Sequence, residues 1–459
     1  MNIPKYVPDE PIVAIATALV PSALGIVRVS GRNCVELLSS VFSRPVALKN
    51  AEGNTILHGW ILEKNEKIDE VLISVFRSPK SFTGEEMAEI SCHGGVSIVQ
   101  KVYSILLNAG FRAAERGEFT FRAFVHGKTD LTRAEAVREI IDAKTDRASF
   151  RAATRLSGGL FEEIERVRAL IVETIADIQA EIEYPEDENA IADSFNPQKI
   201  VRAEKILREL ESSWKSEKIY QDGAKIVLAG KTNAGKSSLF NALLKEERAI
   251  VSDIAGTTRD FLESWVNFDG IPARLFDTAG LRKTDDEIER RGVVLSKNLS
   301  QNADLVLYLV DAKMGICAED EKFILDFLNE NPQKIPLILV FTKNDLVSSI
   351  PNISFDCKIV SISSRTGNGI LELCACVKNA LLNDESVETR FSLGSERQKN
   401  AVSEALERIR HALSLPADFG MDAVAQDLED ALDALSSVTG ETTPDDILES
   451  VFSRFCVGK

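Results

Sequence analysis

The chain has 459 residues, 44% of them apolar and 27% charged, with a formal net charge of -17. That length exceeds a single hydrophobic core and points to about three domains, and the composition is that of an ordinary globular protein rather than a disordered or fibrous one. The acidic balance disfavours non-specific adhesion to nucleic acid or anionic membrane, so an RNA partner would need a local basic patch or a second protein.

At the start, Met1-Asn2-Ile3-Pro4-Lys5 carries no cationic segment leading into an apolar run, and Pro8, Pro11 and Pro21 interrupt the next stretch. No apolar stretch approaches the roughly 18 residues of a membrane span. The seven cysteines, from Cys34 to Cys456, are too scattered for a disulfide framework. A cytoplasmic protein without membrane contact is expected.

Residues 1–125 mix strand-like runs, such as Ile12-Val13-Ala14-Ile15-Ala16 and Gly25-Ile26-Val27-Arg28-Val29, with helical stretches such as Ile98 to Leu107, an α+β pattern. Over 126–221 the period becomes helical. Ile164, Val167, Ile171, Ile175, Ile178 and Ile182 recur at steps of three and four, one apolar stripe on a long helix that Tyr184-Pro185 closes. A second helix carries Ile206, Leu210 and Trp214.

Residues 222–383 read as α/β. Lys225-Ile226-Val227-Leu228-Ala229 is a buried strand, and Gly230-Lys231-Thr232-Asn233-Ala234-Gly235-Lys236-Ser237-Ser238 then opens an apolar helix through Leu239, Phe240 and Leu243. This is a phosphate-binding loop in its strand–loop–helix setting. Glycines let backbone N–H groups converge on a phosphate, the helix N-terminus adds positive potential, Lys236 reaches the β/γ oxygens and Ser237 can ligate Mg²⁺.

Downstream, Gly256-Thr257-Thr258-Arg259-Asp260 supplies Thr258 as a second hydroxyl for Mg²⁺. Asp277-Thr278-Ala279-Gly280 places a carboxylate at a strand end and a glycine N–H where a γ-phosphate can be sensed. The strand Ile338 to Phe341 leads into Thr342-Lys343-Asn344-Asp345. Asp345 can accept from guanine N1–H and N2–H₂, a pairing adenine cannot make, while the Lys343 stem covers the base. Thr342 stands where asparagine is usual. Ser363-Ser364-Arg365 are placed as the last base-contacting loop.

Leu281 follows Gly280, where a water-orienting glutamine often sits, and no arginine announces itself as a built-in finger. Asn233 could ligate a monovalent cation beside the phosphates. Glu289 reads, from spacing alone, as a solvated helix face.

Residues 384–459 turn helical again, through Glu396 to Leu413 and Ala423 to Leu435. Thr443-Pro444-Asp445-Asp446 starts a last helix with a capping hydroxyl, a first-position proline and first-turn carboxylates, ahead of a Phe455-Cys456-Val457-Gly458-Lys459 tail. Two helical blocks flanking the α/β block suggest one helical domain with a P-loop GTPase (Ras-like) domain inserted into it.

The phosphate loop with Asn233, the Gly256–Asp260 and Asp277–Arg282 segments, the tail, and Gly25-Ile26-Val27-Arg28-Val29-Ser30-Gly31, Ser81-Phe82-Thr83-Gly84-Glu85, His93-Gly94-Gly95 and Gly117-Glu118-Phe119-Thr120 together resemble the MnmE (TrmE) family of tRNA-modification GTPases nearly end to end.

The resemblance implies a homodimeric, K⁺-activated GTPase, binding GTP and GDP, whose paired G domains drive a conformational cycle. K⁺ would be held by Asn233, Ser252, Ile254 and Thr257, and Mg²⁺ by Ser237 and Thr258. Glu289 would position water. The amino-terminal domain would bind 5-formyl- or methylene-tetrahydrofolate through Arg28, Glu89, Lys128 and Lys459, each otherwise a surface charge. An aminomethyl or carboxymethylaminomethyl group would be installed at C5 of the wobble uridine of tRNA.

Cys456 would serve that chemistry, or else be a small apolar residue beside Phe455. The partner would be an MnmG-type flavoprotein bringing FAD and NADH in a heterotetramer, since this chain lacks a dinucleotide-binding fingerprint. Two rival readings stay open. One is a ribosome-assembly or signalling switch without modification chemistry; the other is a folate-dependent transferase with an inactive G domain.

Overall fold

The computed structural model describes residues 10–183, 197–245, 264–277, 303–332, 334–349, 355–382, 391–415 and 421–458. The chain divides into two compact units, one of residues 1–138 with 429–459 and the other of residues 139–428. The multidomain layout of an α+β amino-terminal part, helices and an α/β P-loop block is the one observed.

In the first unit, β1 (Ile12–Ile15), β2 (Leu24–Ser30), β3 (Thr55–Glu63), β4 (Glu66–Phe76), β5 (Met87–His93) and β6 (Arg112–Ala113) form one sheet in the order β3-β4-β5-β2-β1-β6. All its pairs are antiparallel except β1 with β6. Val27, Val29, Ile73, Val75 and Ile90 point to one buried core, covered by Val102, Ile105 and Leu106 of the Val96–Asn108 helix. Each such burial contributes about 1.5–3 kcal/mol. The carboxy-terminal helix Asp445–Phe452 docks by Phe452, edge-on to Phe121 at 5.3 Å.

The second unit holds β7 (Ala224–Gly230), β8 (Ser264–Phe268), β9 (Ile271–Asp277), β10 (Leu305–Asp311), β11 (Leu337–Thr342) and β12 (Lys358–Ser361), in the order β12-β11-β10-β7-β9-β8. Only β8 and β9 pair antiparallel. β10 and β11 are apolar almost throughout because both faces of a parallel sheet are covered. This topology brings the carboxyl ends of β7, β10 and β11 side by side, where open α/β sheets place their ligands.

The stripe Ile164, Val167, Ile171, Ile175 and Ile178 is buried on the Gly159–Glu183 helix, but Ile182 is exposed. On the Pro197–Asp222 helix the buried face runs through Ile200, Ala203, Leu207, Leu210, Ser213, Glu217 and Tyr220. Ile206 and Trp214 fall half-buried on its flank. The apolar period misread this face because polar residues, Ser213 and Glu217, carry it.

Candidate nucleotide and tail sites

The loop after β7 is shaped by close backbone approach. Gly230 has φ 131, and a Cβ there would lie 2.3 Å from the Leu309 carbonyl oxygen on neighbouring β10. Gly235 has φ 91 and sits against Thr342. Lys236, 7% exposed, opens the Lys236–Lys245 helix and donates its ammonium to the carbonyls of Gly230 (2.5 Å) and Lys231 (2.7 Å). The charge is thereby held over the mouth of its own loop, at a helix N-terminus, where a phosphate would gain from both. Ser237 and Ser238 are exposed on the first turn, Ala234 is buried, and Asn233 is exposed with φ 66.

β11 delivers the base-reading segment to the same place. Thr342, 2% exposed, lies with Oγ1 2.8 Å from the Ala234 carbonyl and 3.2 Å from that of Val310. Lys343 donates to the Asn233 carbonyl at 3.1 Å and to Asp311 Oδ2 at 2.6 Å. Asp345 is exposed in the 3-10 turn Asn344–Leu346. Asn344 N–H donates to the Ile362 carbonyl at 3.1 Å, which sets Ser363, Ser364 and Arg365 beside the turn. Ser363 is 1% exposed, and its hydroxyl accepts from Thr366 N–H at 3.2 Å, so it shapes its own loop. Asp277 closes β9, paired in register with Leu228 of β7.

A second constellation lies in the first unit. Arg28 on β2 faces Glu89 on β5, the guanidinium donating to Oε1 from Nε (3.1 Å) and Nη2 (2.6 Å). Its Nη1 donates to the Gly458 carbonyl at 3.0 Å, and its plane lies 5.5 and 5.6 Å from the ring centroids of Phe119 and Phe82. Val457 bridges Arg116, Phe455 is buried, and Cys456 is exposed between them. Lys128 donates to the Pro79 carbonyl at 3.0 Å and lies against Gly84, in the segment whose Phe82 ring faces Arg28.

Residues 11–128 match the model of the GTP-binding protein TrmE N-terminus, and residues 131–456 match that of the MnmE helical domain. The tRNA modification GTPase MnmE of Treponema denticola is 51% identical with both chains covered throughout, and its counterpart in Treponema pallidum is 43% identical over the same full coverage. That of Carboxydothermus hydrogenoformans is 40% identical, covering 98% of this chain and 100% of its own. The chain belongs to the MnmE family.

Seen within the MnmE family, the described positions bring Asn233, Ala234, Gly235, Lys236, Thr342 and Lys343 into one cluster and Arg28 and Glu89 into another. Ser252, Ile254, Thr257, Thr258, Thr278, Ala279, Gly280, Glu289 and Lys459 lie outside the described residues. Among the described residues no group of three or more His, Cys, Asp or Glu side chains gathers to hold a metal, and no helix is long and apolar enough to cross a membrane.

Sequence reading passed over two contacts. One is Asp311, whose only signal was an acid closing the strand Leu305–Asp311; the other is the Gly458 carbonyl. Burial opposes ionisation of Asp311, but the Lys343 ammonium and the Lys313 N–H outweigh it and hold its carboxyl below the usual range.

Proposed function

We propose that this chain is a K⁺-activated GTPase that modifies the wobble uridine of tRNA. The observation that carries the reading is Lys236, whose ammonium is held over the loop mouth while Thr342 and Lys343 fasten the base-reading turn to the same loop. Backbone N–H groups of the loop and Lys236 receive the β- and γ-phosphates, and Asp345 selects guanine. The hydroxyls of Ser237 and Thr258, with the Asp277 carboxylate, would hold Mg²⁺, which would offset the charge of the β- and γ-phosphates, and Gly280 N–H would sense the γ-phosphate.

Leucine at position 281 can neither orient water nor compensate charge. Asn233, Ser252, Ile254 and Thr257 would hold K⁺, which supplies the missing positive charge at the transition state, and Glu289 would orient the water. In the amino-terminal domain, taken as 1–125, Arg28 and Glu89 offer a donor fork and an acceptor beside two phenyl faces. That chemistry fits a flat, carboxylate-bearing tetrahydrofolate derivative, with Lys128 and Lys459 for its tail.

The helical domain would comprise 126–221 and 384–459, with the G domain 222–383 between them. A homodimer, and a heterotetramer with an FAD- and NADH-binding flavoprotein, complete the scheme. Cys456 would act in the modification step. A ribosome-assembly or signalling switch is disfavoured because it has no use for a tail carried to Arg28.

The test is GTP and ATP turnover in Na⁺ and K⁺, with mass spectrometry of tRNA nucleosides from cells lacking the chain. GTP-specific, K⁺-stimulated turnover lost in Lys236→Ala, together with loss of the modified wobble uridine, supports the reading. Equal use of ATP, or unaltered tRNA, refutes it.

A further inference from the structure

Two residues that are not glycine adopt left-handed backbone where the phosphate loop meets the base-reading turn: Asn233 at φ 66 and Lys343 at φ 56. Asparagine enters this region readily, whereas a lysine there is uncommon and is held by its surroundings. Here one contact serves both, because the Lys343 ammonium donates to the Asn233 carbonyl at 3.1 Å. A lysine ammonium is a strongly hydrated charge on a flexible four-carbon stem, and Lys343 is 39% exposed. One neutral carbonyl is a weak tether for it.

The stronger tether is Asp311, at the carboxyl end of β10. Its side chain is 17% exposed, and Oδ2 lies 2.6 Å from the ammonium, a charge-assisted bond. Asp311 is itself aimed, since Oδ1 accepts from Lys313 N–H at 2.9 Å while the carboxylate stands at a strand end. A chain of contacts therefore runs from Lys313 N–H through Asp311 and Lys343 to the backbone of Asn233. Beside it, the Thr342 hydroxyl ties the next loop residue, Ala234, to β11.

We infer that Asp311 is a positioning residue of the nucleotide site, which through Lys343 fixes the backbone of Asn233 and couples a filled base pocket to the cation-binding side chain that Asn233 carries. The cation part rests on the proposed reading of Asn233. Asp311 touches neither nucleotide nor cation in this scheme. Its effect is on how long the nucleotide stays and how much K⁺ is needed, whereas the choice of guanine over adenine belongs to Asp345.

The experiment uses the full-length chain and Asp311→Asn, which keeps shape and one acceptor but removes the charge. Release of a fluorescent GDP analogue is expected to quicken about tenfold, the equivalent of one charge-assisted bond weakened to a neutral one. The K⁺ concentration for half-maximal GTPase activity is expected to rise several-fold, with the GTP-over-ATP preference unmoved. Asp311→Glu, which restores the charge, should recover part of both. Combining Asp311→Asn with Lys343→Met should add little to Lys343→Met alone.

Unchanged GDP release in a folded Asp311→Asn protein overturns the positioning role. Faster release with an unmoved K⁺ requirement overturns the coupling to Asn233. Should the unsubstituted chain itself ignore K⁺, the cation reading fails and the coupling with it. GDP release then decides the positioning role alone: quicker release upholds it and equal release overturns it.

Discussion

Arg155 and Glu217 meet at 2.7 Å with side chains 2% and 0% exposed. Arg151 Nε adds a second cation at 2.6 Å, and the Ser392 hydroxyl donates to Glu217 Oε2 at 2.9 Å while accepting from Arg155 Nη1 at 2.9 Å. Glu217 lies about two turns before the chain enters β7, and Ser392 lies where it returns from the α/β block. A single buried network thus holds both strands of the connection.

Glu217→Ala leaves the buried Arg155 guanidinium with Glu139 as its remaining carboxylate partner and takes from Arg151 and the Ser392 hydroxyl the acceptor they share, and the expected loss of unfolding free energy is about 1–3 kcal/mol. Burial opposes ionisation of Glu217, but Arg155 and Arg151 outweigh it and lower its pKa from the ordinary 4.5. The group's stabilisation is therefore complete above pH 4.5 and is lost as pH falls through the lower folded value. Urea denaturation should give a wild-type-to-variant gap that is constant from neutral pH to about 5 and narrows in acid. A gap that widened in acid would contradict the assignment.

Thr342→Val removes a hydroxyl but keeps the shape of a side chain that is 2% exposed. The Ala234 carbonyl loses its donor at 2.8 Å, worth about 1 kcal/mol, so GDP affinity should fall about fivefold. Thr342→Ser should bind nearly as the parent does. Calorimetric titration with GDP checks both, and equal affinity in all three proteins would show that the hydroxyl is dispensable.

Thr342 also illustrates how far sequence reaches. Its place in the motif was legible because a parallel strand of unbroken apolar residues must end where ligands bind, and a threonine was an evident departure from asparagine. What the hydroxyl does instead was not legible, since its partner Ala234 is 108 residues away. Asp311 was missed for the same reason, as nothing local distinguishes an acid that closes a strand from a solvated one. The buried face of Pro197–Asp222 was hidden because Ser213 and a paired Glu217 stand in for apolar residues over its carboxy-terminal half. Long-range polar pairing, rather than apolar period, is the part of this fold that periodicity cannot report.

Asp345 stands exposed in its turn, so exchanging it tests chemistry with little penalty to folding. A carboxylate accepts from the guanine N1–H and N2–H₂ edge, whereas the Asp345→Asn amide can also donate and so suits a base with an oxygen at that position. Competition between GTP and xanthosine triphosphate should shift toward xanthine by about a hundredfold or more. A variant that still preferred guanine would place base selection elsewhere.

The tail depends on one backbone position. Gly458 has φ 90, and a Cβ there would lie 2.9 Å from the Ile15 carbonyl oxygen, while its own carbonyl accepts from Arg28 at 3.0 Å. Gly458→Ala therefore meets both a left-handed backbone, costing about 1–2 kcal/mol, and a collision with β1. The cheapest relief is for the last residues to lift away, which takes the carbonyl from Arg28 and moves Cys456 and Lys459 together. Arg28 keeps Glu89, so the first unit should stay folded, and nothing in the nucleotide cluster changes. The expected result is GTP turnover close to that of the parent, weaker retention of tetrahydrofolate by equilibrium dialysis, and a lower yield of modified wobble uridine by nucleoside mass spectrometry. If folate retention and modification both persist, the tail's contact with Arg28 is packing alone, and Cys456 is then better explained as a small residue beside the buried Phe455.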